Sequence, residues 1–378
     1  MKQSWKYGKL GDAVYKASSS ISLNKIKNDD GDYPVFGAKG FAKNVSFYDQ
    51  EKEYLGIIKD GAGIGRVKKY PSKSSIVATM QYILPCEGHD IDFIRYFLES
   101  LDFEIYRTGS TIPHIYFKNY KEAKFPLINI DEQKNIVKTL DEAFSKINQA
   151  KINVEKNIIN SKELFHSKLH EIFILGSFDW SQKKVGEVAI HSLGKMLDKK
   201  KNTGNPKKYL RNKSVRWFGF DLESMSEMLF EENEIEKYTA VKGDVLICEG
   251  GYPGRAAIWD ENYSIHFQKA IHRVRFKNSL YSKWFLYHLY FSDLSGDIKK
   301  YFTGTGIQHF TGRALHNYKI PFPPISQVVN LTKSIEKLDL EIKKIGLTYQ
   351  TKRNNLNDLK KSILQKAFAG ELTKMSKP

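Results

Sequence analysis

The sequence predicts an α+β protein made of two mixed globular modules and two long antiparallel helices, and three observations carry that prediction. The 378 residues contain an internal repeat, each copy passes from a glycine-punctuated mixed stretch to an unbroken helical pattern, and both helical patterns share one apolar seam. The repeat is clearest where Thr108-Gly109-Ser110-Thr111-Ile112-Pro113-His114 returns as Thr303-Gly304-Thr305-Gly306-Ile307-Gln308-His309, an offset of 195. That offset holds to the end of each copy. Phe125-Pro126 falls on Ile320-Pro321, Ile130 on Ile325, Leu164 on Leu359 and Phe173 on Phe368.

Earlier in each copy the offset is smaller. Trp5 aligns with Trp180 at 175, and Gly65-Arg66 with Gly254-Arg255 at 189. Insertions therefore accumulate only in the second mixed region, as expected where loops diverge on a constant scaffold. Short apolar runs at Glu53–Ile58, Asp244–Ile247 and Ser75–Thr79 read as strands, the first two leading into glycine turns. Helices are expected over Phe93–Glu99 and Lys283–Tyr290.

In the second helical stretch Leu331, Ile335, Leu338, Ile342, Ile345, Tyr349, Leu356, Leu359 and Ile363 fall on alternating steps of four and three, a coiled-coil seam interrupted only at Lys352. The first copy matches it with Ile136, Leu140, Ala143, Ile147, Ala150 and Val154, then drifts to Ile158, Phe165, Leu169 and Ile172. Asp131 and Ser326 are the expected N-caps, after proline-bearing strand exits. At about 1.5 Å per residue, roughly 40 residues make each helix about 60 Å long. The simplest packing sets the two helices against each other, antiparallel, with a module at each end.

A net charge of +17 favours a polyanionic partner, although a Lys-rich composition from an AT-rich genome is the bland alternative. No apolar run approaches a membrane span, and the first residues lack a signal-peptide pattern. Cys86 and Cys248 occupy non-equivalent places, so a disulfide is not expected and a reducing cytoplasm fits.

The run Ile-Pro-Phe-Pro-Pro-Ile-Ser-Gln (320–327), the long helix after it and Leu359-Lys-Lys-Ser-Ile-Leu-Gln-Lys-Ala-Phe-Ala-Gly-Glu-Leu372 resemble the specificity (HsdS) subunit of type I restriction–modification systems. The resemblance covers essentially the whole chain. It departs at Pro126-Leu-Ile-Asn-Ile130 and at Ser326, where the family has Pro-Leu-Pro-Pro-Leu and glutamate. It implies target-recognition domains at 1–125 and 176–320 and helical spacer regions at 126–175 and 321–378. It further implies a non-catalytic reader of a bipartite sequence in double-stranded DNA, docking two methyltransferase subunits and, through them, restriction subunits. S-adenosylmethionine, ATP and magnesium would then belong to the partners and none to this chain.

No motif argues for catalysis here. Gly61-Ala-Gly-Ile-Gly65 lacks both dinucleotide and P-loop spacing and reads as a tight turn delivering Arg66, as Gly254 delivers Arg255. Each arginine is either a phosphate contact or a solvated side chain. Phe322-Pro-Pro-Ile325 lacks the Asn or Asp that an amino-methyltransferase places before its prolines, and Glu51-Lys-Glu53 reads as a solvated turn rather than a nuclease site. His166 and His170 have zinc-compatible spacing without further ligands and read as helix surface. His114 and His309 either brace their loops or reach phosphate.

DNA contacts are expected from Lys39, Lys43, Asn44, Arg66, Lys68, Lys69, Lys73, Gln81 and Arg107 in the first module. In the second they are expected from Lys199, Lys200, Lys201, Lys207, Lys208, Arg211, Lys213, Arg216, Arg255, Gln268 and Lys269. The rival from another class is a coiled-coil adaptor whose duplicated heads bind proteins, and a third is a DNA-modifying enzyme acting alone. A steep salt dependence of duplex binding separates the reader from the adaptor.

Overall fold

The entry and exit strands of each mixed stretch pair with one another, so each stretch closes on itself before its helix begins. Lys6–Lys9 runs antiparallel to Lys124–Leu127, with Tyr7 opposite Pro126, and Ser181–Lys184 runs antiparallel to Lys319–Phe322, with Gln182 opposite Pro321. Proline is tolerated because each ribbon has only two strands, leaving the residue without an amide on an edge. The computed structural model describes residues 5–176, 179–198, 200–223 and 225–371, so Lys199 lies outside the described residues.

The chain divides into two compact units, residues 1–155 with 350–378 and residues 156–349. In the first, Val14–Ser18, Met80–Pro85, Tyr54–Ile58 and Val67–Tyr70 form an antiparallel sheet in that order. In the second, Ala189–Leu193, Ile271–Phe276, Val245–Cys248 and Ala256–Ile258 form its counterpart in the same order. The central strands Tyr54–Ile58 and Val245–Cys248 are buried throughout, as their continuous apolar runs predict.

Each unit also has a second sheet, three-stranded in the first unit and four-stranded in the second, containing one parallel pair. Tyr33–Gly37 pairs with Ser75–Ile76 in the first unit, and Asn205–Leu210 with Ile265–Phe267 in the second. The strand expected over Ser75–Thr79 stops at Ile76. Beyond it Val77 donates to Phe36 O and Ala78 to Ile21 O, irregular bonds that bend the chain out of the ladder. The expected short helices span Ile91–Ser100 and Leu280–Ser295.

The long helices span Ile130–His170 and Ile325–Phe368, 41 and 44 residues. Their caps differ from expectation. Asn129 caps the first, its Oδ1 accepting from Glu132 N at 2.8 Å, which leaves Asp131 inside the first turn. In the second the Pro324 carbonyl accepts from Gln327 N and Val328 N at 2.9 and 3.0 Å, so Ser326 is also inside. Both helices start one or two residues earlier than the acidic or hydroxyl side chain suggested.

Each unit's core combines its head, the start of the helix that follows that head, and the end of the other helix. In the first, Phe93, Phe97 and Phe125 pack with Ile136, Leu140, Phe144 and Ile147 and with Leu364 and Ala367. In the second, Trp284, Phe285 and Phe291 pack with Val328 and Ile335 and with Phe165, Leu169, Ile172 and Phe173. The repeat-equivalent aromatics sit alike. Phe368 lies 5.2 and 5.3 Å from the Phe93 and Phe97 rings, and Phe173 lies 4.6 Å from Trp284 and 5.6 Å from Phe291.

Truncating one of these helix-end aromatics therefore has a local cost. Phe173→Ala is expected to remove about 3–5 kcal/mol from the second unit. Hydrogen exchange should then rise over residues 180–320 while residues 5–125 stay protected.

Candidate nucleic-acid interface

The central strand of each unit ends in a glycine turn that only glycine can close. Gly65 and Gly254 have φ of 78° and 85°, and a Cβ there would fall 2.5 Å from Phe103 and 2.4 Å from Ile298. The turns are bonded alike. Gly65 N donates to Ile58 O and Gly254 N to Cys248 O, both at 2.9 Å, and the returning Arg66 and Arg255 carbonyls accept from Ile58 N and Cys248 N.

Against each turn lies the repeated Thr–His loop. Thr108 and His114 exchange two backbone bonds of 2.9 and 2.8 Å, and Thr303 and His309 do the same at 2.9 and 2.8 Å. Gly61 N donates to Pro113 O in the first unit, and Phe310 N to Glu249 O in the second, tying loop to turn. His114 Nδ1 lies 2.7 Å from Asp60 Oδ1, and the His309 ring abuts Gly250. Both histidines brace their loops. The loop tips stay in solvent, with Ile112 and Ile307 exposed.

A second repeated contact fixes each head to its helix. Trp5 Nε1 donates to Glu132 Oε1 at 2.8 Å, and Trp180 Nε1 donates to Gln327 Oε1 at 2.9 Å. The tryptophans align in the sequence, yet nothing in their spacing assigns them this role. The indole donor meets the first turn of the long helix across 127 residues in the first unit and 147 in the second.

The structure sorts the expected contacts of the first unit. Arg66 leaves the glycine turn exposed, its Nε 3.4 Å from Gly63 O, and Arg107 ends the Phe103–Tyr106 turn on which Gly65 packs, paired with Glu104 at 3.1 Å. Lys39, Asn44, Lys68 and Lys73 are exposed. Lys69 is held by Asp92 at 2.8 Å and Glu53 at 3.7 Å. Two expected contacts are withdrawn from any ligand. Lys43 Nζ donates to the carbonyls of Ile26, Lys27 and Asp29, and Gln81 is buried, accepting from Tyr120 OH at 3.3 Å. Polarity alone could not separate these, because an internal carbonyl satisfies an ammonium as well as a phosphate does.

In the second unit Lys200, Lys201, Lys207, Lys208, Lys213, Arg216 and Lys269 are exposed, while Arg211, Arg255 and Gln268 are half-buried. Arg211, Lys213, Arg216 and Arg255 are brought together around Asn212. Arg255 Nη2 donates to Asn212 O at 3.5 Å and its guanidinium lies 5.2 Å over the Tyr252 ring, while Arg216 pairs with Asp221 at 3.2 Å. Beneath them burial pushes the Cys248 thiol up to about 11, so it stays protonated at neutral pH.

The signal for this cluster was the growing offset. Fifteen residues separate Leu210 from its antiparallel partner strand, which starts at Ser226, where the first unit turns from Gly37 to Gly40 through Ala38 and Lys39. Among the described residues no group of three or more His, Cys, Asp or Glu is placed to hold a metal, and His166 and His170 are both exposed. No described helix is long and apolar enough to cross a membrane.

Comparison with known proteins agrees with the duplication. A family model for the type I restriction modification DNA specificity domain matches the chain twice, over residues 2–156 and 178–361. A curated relative, the type I restriction enzyme MjaVIII specificity subunit of Methanocaldococcus jannaschii, is 22% identical, with 98% of this chain and 93% of that protein aligned. Two solved structures share the fold. One, from work on complex assembly and conformational transition of the type I R-M system, has a TM-score of 0.74 at 15% identity over 98% of both chains. The HsdS subunit from Thermoanaerobacter tengcongensis has a TM-score of 0.59, also at 15% identity and 98% of both chains.

The Phe310 carbonyl, next to His309, is held at 3.0 Å by the fully buried His272, whose Nε2 must carry the proton. Burial pushes His272 down to about 4 and His288 down to about 3. Below the ordinary value of 6.5 the unfolded chain takes protons that these folded sites refuse, so stability falls as pH drops from about 6.5 toward 4. At pH 5 the loss is on the order of 2 kcal/mol per histidine. Denaturant titrations at pH 7 and 5 should show the second unit losing more than the first.

Proposed function

The chain belongs to the type I restriction modification DNA specificity family, and from that premise we propose that it is the non-catalytic DNA-recognition subunit of a type I restriction–modification complex. The observation that carries the reading is the pairing, in each unit of a chain with net charge +17, of one glycine turn and one braced Thr–His loop. Each head, 1–125 and 176–320, reads one half of a bipartite duplex sequence. Arg66 and Arg107 in one head, and Arg211, Lys213, Arg216 and Arg255 in the other, supply phosphate and base contacts. The exposed Lys39, Asn44, Lys68, Lys73, Lys200, Lys201, Lys207, Lys208 and Lys269 supply the surrounding positive field.

The spacer regions 126–175 and 321–378 form an antiparallel helical pair that sets the distance between half-sites. Support comes from each unit's core, which takes the start of one long helix and the end of the other. These helices also dock two methyltransferase subunits, which carry S-adenosylmethionine, and through them restriction subunits that carry ATP and magnesium. Repeat-equivalent apolar residues remain exposed there, Ile152 with Leu347 and Leu164 with Leu359.

The test assembles the chain with a methyltransferase subunit and maps methylated adenines across a genome. Two short half-sites at a fixed gap are expected, and exchanging residues 1–125 for those of a relative should change one half only. A single continuous site, or no pattern, would overturn the reading. Duplex affinity should fall about a thousand-fold between roughly 50 and 200 mM salt if about six phosphates are contacted. The double substitution Ile152→Lys with Leu347→Lys should weaken methyltransferase assembly at least about ten-fold, measured by sedimentation, while the melting temperature stays within a few degrees.

A further inference from the structure

In each unit the connection after the parallel strand is tied to the glycine turn by the same backbone bonds, yet the two connections differ. In the first unit Phe36 O accepts from Val77 N at 2.9 Å. Two residues on, Thr79 O accepts from Lys59 N and Asp60 N, where the glycine turn begins. In the second unit Leu210 O accepts from Gln268 N at 3.1 Å, and two residues on Ala270 O accepts from Glu249 N at 2.8 Å. Asp60 and Glu249 in turn hold the Thr–His loops, through the His114 ring and the Phe310 amide. Both connections therefore start beside turn and loop.

The second unit's fifteen-residue insertion folds back on its head, with Trp217 and Phe218 packed 5.1 and 4.9 Å from Tyr290. The first unit has instead a hairpin, Tyr33–Gly37 with Gly40–Val45, closed by Ala38 and Lys39. Gly40 takes a φ of 115°, which a side chain would strain. The register shifts at Val35 and Phe36, leaving Ala42 as the extra residue of a bulge, a device that re-aims side chains. Phe41 emerges at the tip 63% exposed, the most exposed phenylalanine among the described residues.

A lone exposed apolar side chain is ordinary. This one is distinguished by its support and its place. Its ring stands edge-on to Phe36 at 6.3 Å, and Phe36 packs 4.9 Å from Tyr70. Behind it the strand is anchored by Lys43, whose ammonium donates to the carbonyls of Ile26, Lys27 and Asp29. Lys39 and Asn44 on the same hairpin are exposed, as Thr79 and Arg66 are beside it. An aromatic ring held in water among cations and amides is preorganised for a polyanion with apolar features.

Duplex DNA supplies them in its major groove, which admits a two-stranded ribbon. The one apolar group on base edges there is the C5-methyl of thymine, and phenylalanine is among the side chains that contact it. Lys39 at the turn would meet the adjoining phosphates. We propose that the hairpin 33–45 enters the major groove of the first half-site and that Phe41 reads a thymine through its C5-methyl group. This rests on the DNA-recognition reading above.

The methylation map of the unsubstituted complex gives the first half-site. Duplexes are then made with uracil replacing each of its thymines in turn, which removes only the methyl group. Binding by the chain assembled with the methyltransferase subunit should weaken about four-fold or more at one of these positions. Phe41→Ala should bind the thymine and uracil duplexes alike at that position, and uracil in the second half-site should affect both chains equally.

A Phe41→Ala chain that distinguishes thymine from uracil as the unsubstituted chain does would overturn the proposal. So would an unsubstituted chain indifferent to uracil throughout the first half-site. Equal weakening of Phe41→Ala on every duplex, with the methyl preference kept, would make the ring a wedge or a support and overturn it too. Loss of methyltransferase assembly in sedimentation would reassign Phe41 to a protein contact. Absence of any bipartite pattern from the unsubstituted complex would instead sink the DNA-recognition reading itself.

Discussion

Two phenylalanines at the ends of the long helices close the cores on which everything else rests. Phe368 enters a cluster with Phe93 and Phe97, and Phe173 enters one with Trp284, His288 and Phe291. Neither head buries its apolar face with its own strands alone. Each needs the last turns of a helix that began elsewhere in the chain, so head and helix fold as one unit. Apolar burial of a large aromatic ring is among the strongest single contributions available to such a core.

That dependence separates rigid parts from variable ones. The ribbon at Tyr7 and Pro126, the latch of Trp5 on Glu132 and the glycine turn at Gly65 all recur in the second unit with nearly identical distances. The longest difference lies in one connection between strands of the second sheet, where the second unit carries its insertion, and the helix Leu280–Ser295 is also longer than its counterpart Ile91–Ser100. A loop on a closed scaffold can change length with little cost to the core, because loop entropy grows slowly with length. The two units therefore present the same frame with different contents.

Electrostatics follows the same division. Lysines near the scaffold are spent internally, as Lys43 is on three carbonyls and Lys360 is on Glu99 at 3.0 Å. Those beyond the glycine turns and on the hairpins are left to solvent and supply the excess positive charge. A count of basic residues overstates the binding surface, because it cannot tell a cation that satisfies a carbonyl from one that awaits a phosphate.

Much of this was legible in the residues themselves. Identical spacing from Thr108 and Thr303 onward established a duplicated unit, continuous apolar runs located Tyr54–Ile58 and Val245–Cys248, and steps of four and three drew both long helices to within a few residues of their ends. These are short-range properties, set by side-chain periodicity and by glycine's access to positive φ. Tertiary structure alone decided the rest. It moved the caps to Asn129 and Pro324, buried Gln81, tied up Lys43, and gathered Asn212, Trp217 and Arg255 around one turn. Such outcomes depend on which distant backbone atoms come within about 3 Å, a distance that no local pattern encodes.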